Sequence, residues 1–457
     1  MFGCYVRCTD ERPPQNVAHL FFGDANPPAF LVLEGLAVLA GLISNPFCSH
    51  YGYLRSRYRG IDASRPGADM SQPIQAPPPP IISFVQYTTK DVILYAVGVG
   101  CCADANTDDT VGTAPDEMQY VYENHPDFEP LPSFPLSLSF SAVPAEAGAS
   151  YVARIRPFPP HTMKNILPRQ FITADSNFEP SSCPILHIAQ NLSLHKPIPM
   201  PELQDNVIGG GFDQPIGVKL VTSIVSVMPK EIGVFVSTET EYWTTTEPAT
   251  LLFTGVSSAL VVGAPKEAIL PFRSATIKSK ADVGAVSSKQ QDSPPSYEIS
   301  FRIRPNQALL YRLSGDYNAI HVDSDLAAAA MAMGNHNRND RSEAKAMSRP
   351  VLHGLCSLGF AVRGVLRFVR QREAEHFDVT YLSCRFVRPV YVGDQIKVCI
   401  WDDDATRTST MRKDKHQLLR FEVLECSSGK TVIKNGQVWI TRTVQSMPPI
   451  SLTSSRL

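Results

Sequence analysis

The residues best placed to do chemistry lie in one short stretch, Tyr311-Arg312-Leu313-Ser314-Gly315-Asp316-Tyr317-Asn318-Ala319-Ile320-His321-Val322-Asp323. Gly315 ends a helix, and Asp316 and His321 follow five residues apart across a turn that Asn318 can tie down through its side-chain amide. A loop that leaves one helix and enters the next can aim both side chains at one point. A carboxylate and an imidazole converging on one water form a general base and a general acid, and imidazole suits the task because its ordinary pKa lies near neutrality. On spacing alone, an Asx-capped turn with a surface histidine fits the same residues.

A second stretch, Pro350-Val351-Leu352-His353-Gly354-Leu355-Cys356, opens a helix at Gly354. The first backbone N–H groups of a helix have no carbonyl one turn back, so they can receive a developing oxyanion. Glycine lets a carbonyl approach closely. His353 reads as a structural residue packed beside the turn.

Other chemistries find little support. The 10 cysteines form no C-x-x-C pair, so structural zinc or an iron–sulfur cluster is not expected. Cys384, Cys399 and Cys426 fall in apolar, strand-like stretches and read as small buried thiols in a reducing, intracellular setting. Gly209–Gly211 lacks the Gly-Lys-Ser/Thr ending of a phosphate loop, and no G-x-G-x-x-G follows a strand. A net charge of −2 offers no basic excess for nucleic acid. The longest apolar run, Ala29–Ile43, is broken by Glu34 and too short to span a bilayer; a helix packed on the protein is expected there.

The elements that must position these residues are legible from periodicity. With 457 residues, 43% of them hydrophobic, the chain can build a sizeable core, and its length suggests about three domains, or two plus extensions. Prolines number 38 against 27 glycines, which points to long irregular connections. A proline-rich linker, Arg65 to Pro80, precedes a helix opened by Thr88-Thr89-Lys90-Asp91 and closed by Gly98 and Gly100. Period-two text over residues 217–265 gives three strands of an antiparallel meander. A Ser/Lys/Gln/Pro-rich linker follows over 274–297. A helix is expected over Gln307–Leu313. A longer one from Leu355 carries an apolar stripe of Leu358, Val362, Val365, Leu366 and Val369. Strands then follow at Val379–Val387, Gln395–Trp401, Gln417–Glu425 and Thr431–Val444. Helices first, then an antiparallel sheet, twice over, is an α+β pattern and not alternating βαβ.

In combination these motifs resemble the R-specific (type 2) enoyl-CoA hydratases of the MaoC-like hotdog superfamily. The likeness rests on Tyr311–Asp323 and Pro350–Cys356. In the N-terminal half it rests on Lys90–Gly100, on Tyr120–Phe128 with Leu131–Phe134, and near the end on Cys384–Tyr391. It implies a double hotdog in which each repeat wraps an antiparallel sheet around a central helix, the second repeat being catalytic and the first holding the acyl chain. The expected organisation is an N-terminal extension over 1–82, a non-catalytic hotdog over 83–266, a linker over 267–298, a catalytic hotdog over 299–446 and a tail over 447–457.

The resemblance further implies that Asp316 and His321 activate water for addition to a trans-2-enoyl-CoA, giving a (3R)-3-hydroxyacyl-CoA. Asn318 would order the loop, and the Gly354 N–H would bind the thioester oxygen. His187, Lys230 and Phe386 would contact the CoA ligand. No metal and no separate cofactor is implied, and a homodimer is. The sequence departs from the family in having Asn318-Ala319-Ile320-His321 for Asn-Pro-Leu-His, Ile188 for the glycine after the histidine, and a long insertion over Met333–Arg349. A disordered surface loop is expected of this insertion, with a lid over the acyl pocket as its alternative. The final Ser455-Arg456-Leu457 is similar to a peroxisomal address and implies an import receptor as partner. Two other readings share these residues: a non-catalytic acyl-CoA-binding hotdog protein, and a dehydratase acting on another thioester of fatty acid or polyketide metabolism.

Overall fold

The computed structural model describes residues 76–102, 117–144, 158–163, 166–201, 214–274, 293–334, 349–372, 376–402 and 416–442. The Ala29–Ile43 run, linker residues 65–75, insertion residues 335–348 and the C-terminal tripeptide lie outside them. No helix among the described residues is long and apolar enough to cross a membrane.

The first half opens with strand β1 (Ile81–Tyr87) and helix α1 (Thr89–Gly98). The Thr88 N–H and hydroxyl both donate to Asp91 Oδ2 at 2.8 Å, which fixes the helix start where the sequence placed it. A short helix α2 (Pro135–Ser141) and a two-residue strand β2 (Val143–Pro144) follow. The sheet is then built from β3 (Ile185–Leu194), β4 (Ile216–Lys230), β5 (Gly233–Thr244) and β6 (Leu251–Val262), with β7 (Phe272–Arg273) paired to β4.

The second half repeats the scheme. Strand β8 (Tyr297–Arg302) leads to α3 (Gln307–Tyr311), the candidate loop, α4 (Ser324–Gly334) and α5 (Gly354–Arg372). Strands β9 (Phe377–Phe386), β10 (Gln395–Asp402), β11 (His416–Glu425) and β12 (Thr431–Arg442) complete it. Each half therefore opens with a strand, where periodicity in the sequence shows a helix first. Both leading strands follow segments read as linkers. Their partners, β4 for β1 and β10 for β8, lie about a hundred or more residues further on, so local text shows only an apolar run.

The two half-sheets join edge to edge through antiparallel pairing of β3 with β9, giving the order β2-β1-β4-β5-β6-β3-β9-β12-β11-β10-β8. The sequence stripe on α5 marks only one of its faces, yet nearly the whole helix is buried, Ser357, Gly359 and Arg363 included. Its stripe packs on its own sheet, against residues such as Phe421, Val423 and Val438, each 1% exposed or less. Its other face meets the first half. At Gly359 a side chain would collide with Val99, so the lack of a Cβ sets how closely the two halves approach. Beside it, the fully buried Arg363 donates from Nε (2.9 Å) and NH2 (2.8 Å) to the Glu117 carboxylate and from NH1 to the Val99 carbonyl (2.8 Å). Burial alone would raise the Glu117 pKa, but Arg363 and Arg367 reverse this and hold it below the usual carboxylate range.

Cys101, Cys356, Cys384 and Cys399 are buried free thiols. Cys426, expected to be buried in a strand, sits in the turn after β11 and is exposed, because the strand ends one residue earlier.

Candidate active site

The candidate loop is shaped by its own short-range bonds. Gly315 ends the turn that follows α3 with φ +117°, and an added side chain there would strike Ser141 of α2, so glycine is required on both counts. The Asn318 N–H donates to Asp316 Oδ1 at 3.2 Å, leaving Oδ2 as the outward oxygen. The Asn318 side-chain oxygen accepts from the Ile320 N–H at 3.4 Å and caps the single turn that carries His321. The segment before α5 fixes the imidazole: Nδ1–H of His321 donates to the Val351 carbonyl at 2.7 Å. That segment is itself pinned by Leu352 N–H to the Val390 carbonyl at 2.7 Å. With Nδ1 donating, Nε2 of the neutral ring carries the lone pair, and it stands 4.0 Å from Asp316 Oδ2. An Asx turn is therefore present as well, but His321 is buried and faces the carboxylate instead of solvent.

Burial governs the protonation of both groups. It raises the Asp316 carboxyl above its ordinary value against the pull of His321. It lowers His321 below the ordinary imidazole value against the pull of Asp316.

His353 does more than the sequence showed. Its ring stacks on His321 with centroids 3.6 Å apart, and its Nε2–H donates to the Asp316 backbone carbonyl at 3.1 Å. One side chain thus holds both members of the pair. Burial keeps it well below the ordinary imidazole value, so it is a neutral plate and not a second cation. The contact runs to a backbone atom 37 residues away, and no spacing rule reveals it; the only clue was its place next to Gly354.

Gly354 is the first residue of α5, so its N–H has no carbonyl one turn back. A Cβ built there would lie 3.4 Å from the Phe386 ring, at the end of β9. Phe386 in turn lies 4.9 Å from the His187 ring, across the seam where β3 meets β9. The register shift between His187 and Ala189 makes Ile188 a bulge residue, and both His187 and Ile188 line the cavity. Burial pushes His187 down to about 4, so it is neutral at ordinary pH.

One cavity of about 260 Å³ joins these groups. Asp316, Asn318, His321, Gly354, His187 and Phe386 all line it. Lys230 does not: it ends β4, exposed, paired with Gly233 in the hairpin to β5. From the candidate loop the cavity extends over the face of β4–β6. There α1 has 10 residues where α5 has 19, and so leaves sheet uncovered.

The two halves, each an antiparallel sheet with its helix and joined through β3 and β9, form a double hotdog fold. Two family profiles agree: MFE-2 hydratase 2 N-terminal domain over residues 85–206, and MaoC like domain over 336–420. The chain is 28% identical over 354 residues to the Peroxisomal multifunctional enzyme type 2 of Mus musculus, covering 77% of this chain and 36% of that one. It is 24% identical over 318 residues to Enoyl-CoA hydratase 2, peroxisomal, of Arabidopsis thaliana, covering 69% and 82%. A crystal structure of a MaoC-like dehydratase from Phytophthora capsici superimposes with a TM-score of 0.53 at 20% identity, covering 80% of this chain and 97% of that one, which supports the fold. The chain is thus similar to proteins named peroxisomal enoyl-CoA hydratase 2 and peroxisomal multifunctional enzyme type 2, and it spans about a third of the mouse relative's length.

Proposed function

We propose that this chain is a hydro-lyase that reversibly hydrates trans-2-enoyl-CoA to (3R)-3-hydroxyacyl-CoA in peroxisomal β-oxidation. The observation that carries the reading is the meeting of three groups on one cavity: the Asp316 carboxylate, the lone pair of His321 Nε2 and the Gly354 N–H. A water about 2.8 Å from each member of the pair subtends an angle of about 90° across their 4.0 Å separation. Both of its protons then point at acceptors and its oxygen lone pairs are free. That oxygen bonds to C3 of the enoyl thioester. The C2=C3 electron pair shifts towards the carbonyl, and negative charge grows on the thioester oxygen. The Gly354 N–H donates to that oxygen more strongly as the charge builds, which favours the transition state over the ground state. One water proton passes to His321 Nε2, beside the Asp316 carboxylate. The pair returns a proton to C2 as the enolate collapses, so the sum is one H2O added.

The R configuration rests on the family resemblance. The peroxisomal setting rests on the names of relatives and on the Ser455-Arg456-Leu457 expectation. A homodimer and contact of Lys230 with CoA at the protein surface belong to the same proposal. The test is loss of the enoyl thioester absorbance with purified protein and medium- or long-chain trans-2-enoyl-CoA. Hydration by wild type that Asp316→Ala abolishes supports the reading. Absence of hydration, or an Asp316→Ala rate equal to wild type, defeats it and favours a non-catalytic acyl-CoA binder or another thioester as substrate.

A further inference from the structure

The half of the cavity away from the catalytic loop has a polar floor. β5 turns Thr238 and Thr240 towards it on alternate residues, β4 adds Thr222 and β6 adds Ser257. In register, Thr222 lies opposite Thr240, and Thr238 opposite Ser257. The corresponding sheet in the second half presents Phe421, Val423 and Val438 to α5. An alkyl chain has no use for hydroxyls in such a place, and a buried hydroxyl without a partner costs free energy.

Ser257 Oγ is hydrogen-bonded to His187 Nε2 at 3.1 Å, but the three threonine hydroxyls are under-used. Thr222 and Thr240 bond to each other at 3.0 Å, which consumes one of their two protons. Among the described residues no hydrogen bond takes the other proton, and none engages the Thr238 hydroxyl. The pair is 4% and 9% exposed, so it lies at the closed end, whereas Arg388 on the same cavity is exposed. The bulky charged part of a CoA thioester belongs at the open end, and the acyl tail at the closed one. Among the described residues the first-half lining contains no lysine or arginine, so a carboxylate beside these residues would be buried without a counter-charge.

We propose that the acyl group accepted here carries a neutral oxygen, as a hydroxyl, keto or ether group, which the Thr222/Thr240 pair and Thr238 receive. This deepens the hydratase reading and rests on it. It predicts that purified full-length protein hydrates a trans-2-enoyl-CoA with a chain oxygen at one favoured distance from C1 at least tenfold better, in kcat/KM, than the unsubstituted chain of equal length. Moving the oxygen along the chain should locate that distance. Thr240→Val, which keeps shape and removes the hydroxyl, should bring the ratio towards one, and Thr222→Val should do the same. A wild-type ratio near one at every oxygen position overturns the proposal, and so does a high ratio that survives in both variants. If no thioester is hydrated, the hydratase reading fails on its own account. The same ligands ranked by calorimetric Kd then decide the pocket: preference for the oxygenated chain upholds it and equal affinity rejects it.

Discussion

The two halves share a fold but spend their sheets differently. In the second half a 19-residue helix lies along the sheet, and the strands facing it are apolar and sealed. In the first half the helix has 10 residues, and the strands beyond it carry threonines and serine around open space. The Asp316/His321 pair sits in the sealed half, on a loop held by bonds to its own backbone and to the segment before α5. The cavity the pair faces is lined by both halves and extends over the strands of the first. A hotdog repeat can therefore be turned from a scaffold into a pocket by shortening its helix, provided a sealed repeat beside it supplies rigidity.

If that division holds, changes in the catalytic half should strike turnover, and changes at the contact between halves should strike stability. The largest effect is expected from Asp316→Asn, which keeps shape and removes the charge: kcat should fall by about 10²–10⁴-fold in steady-state assays while KM moves little. A KM change of similar size would place Asp316 in binding instead. Gly354→Pro comes next. Proline is tolerated at the first position of a helix, so the fold is kept while the N–H is lost, and kcat should drop by about 10²–10³-fold.

The contact between halves gives a third test. Glu117→Gln leaves Arg363 buried without its charge partner, and unfolding free energy from denaturant titration should fall by about 3–5 kcal/mol in one cooperative transition. Two separate transitions would show that the halves fold independently. The smallest effect, about tenfold per pH unit, concerns proton linkage. Hydration needs Asp316 ionised and His321 neutral, so protonating either group as pH falls removes activity. Burial raises the first pKa and lowers the second. The acid limb of kcat/KM should therefore lie above the ordinary carboxylate value and below the ordinary imidazole value, with a plateau as pH rises through neutrality. Activity that falls between pH 6.5 and 8 would contradict this.

Much of this was legible in the sequence, and the exceptions are instructive. Period two exposed β4–β6 and β9–β12, because one face of each strand is buried and the other is not. Period 3.6 exposed α5 but gave only its own-sheet face, since its contacts at Gly359 and Arg363 are with a helix end and a carboxylate more than two hundred residues away in the chain. Strands β1 and β8 were hidden behind linker-like text. Asp316, Asn318 and His321 are legible as a candidate cluster because a turn keeps them close in sequence. The part of His353 was not, because its two contacts exist only once the loop and α5 have met. The threonine floor is not legible in the sequence for a simpler reason: alternate threonines in a strand look the same whether they face solvent or a cavity.

The most direct test of the central claim is chiral analysis of the product formed from trans-2-enoyl-CoA across several chain lengths. A (3R)-3-hydroxyacyl-CoA whose formation is lost in Asp316→Asn is the expected result. A 3S product, or the same product at the same rate without the Asp316 charge, would contradict the account.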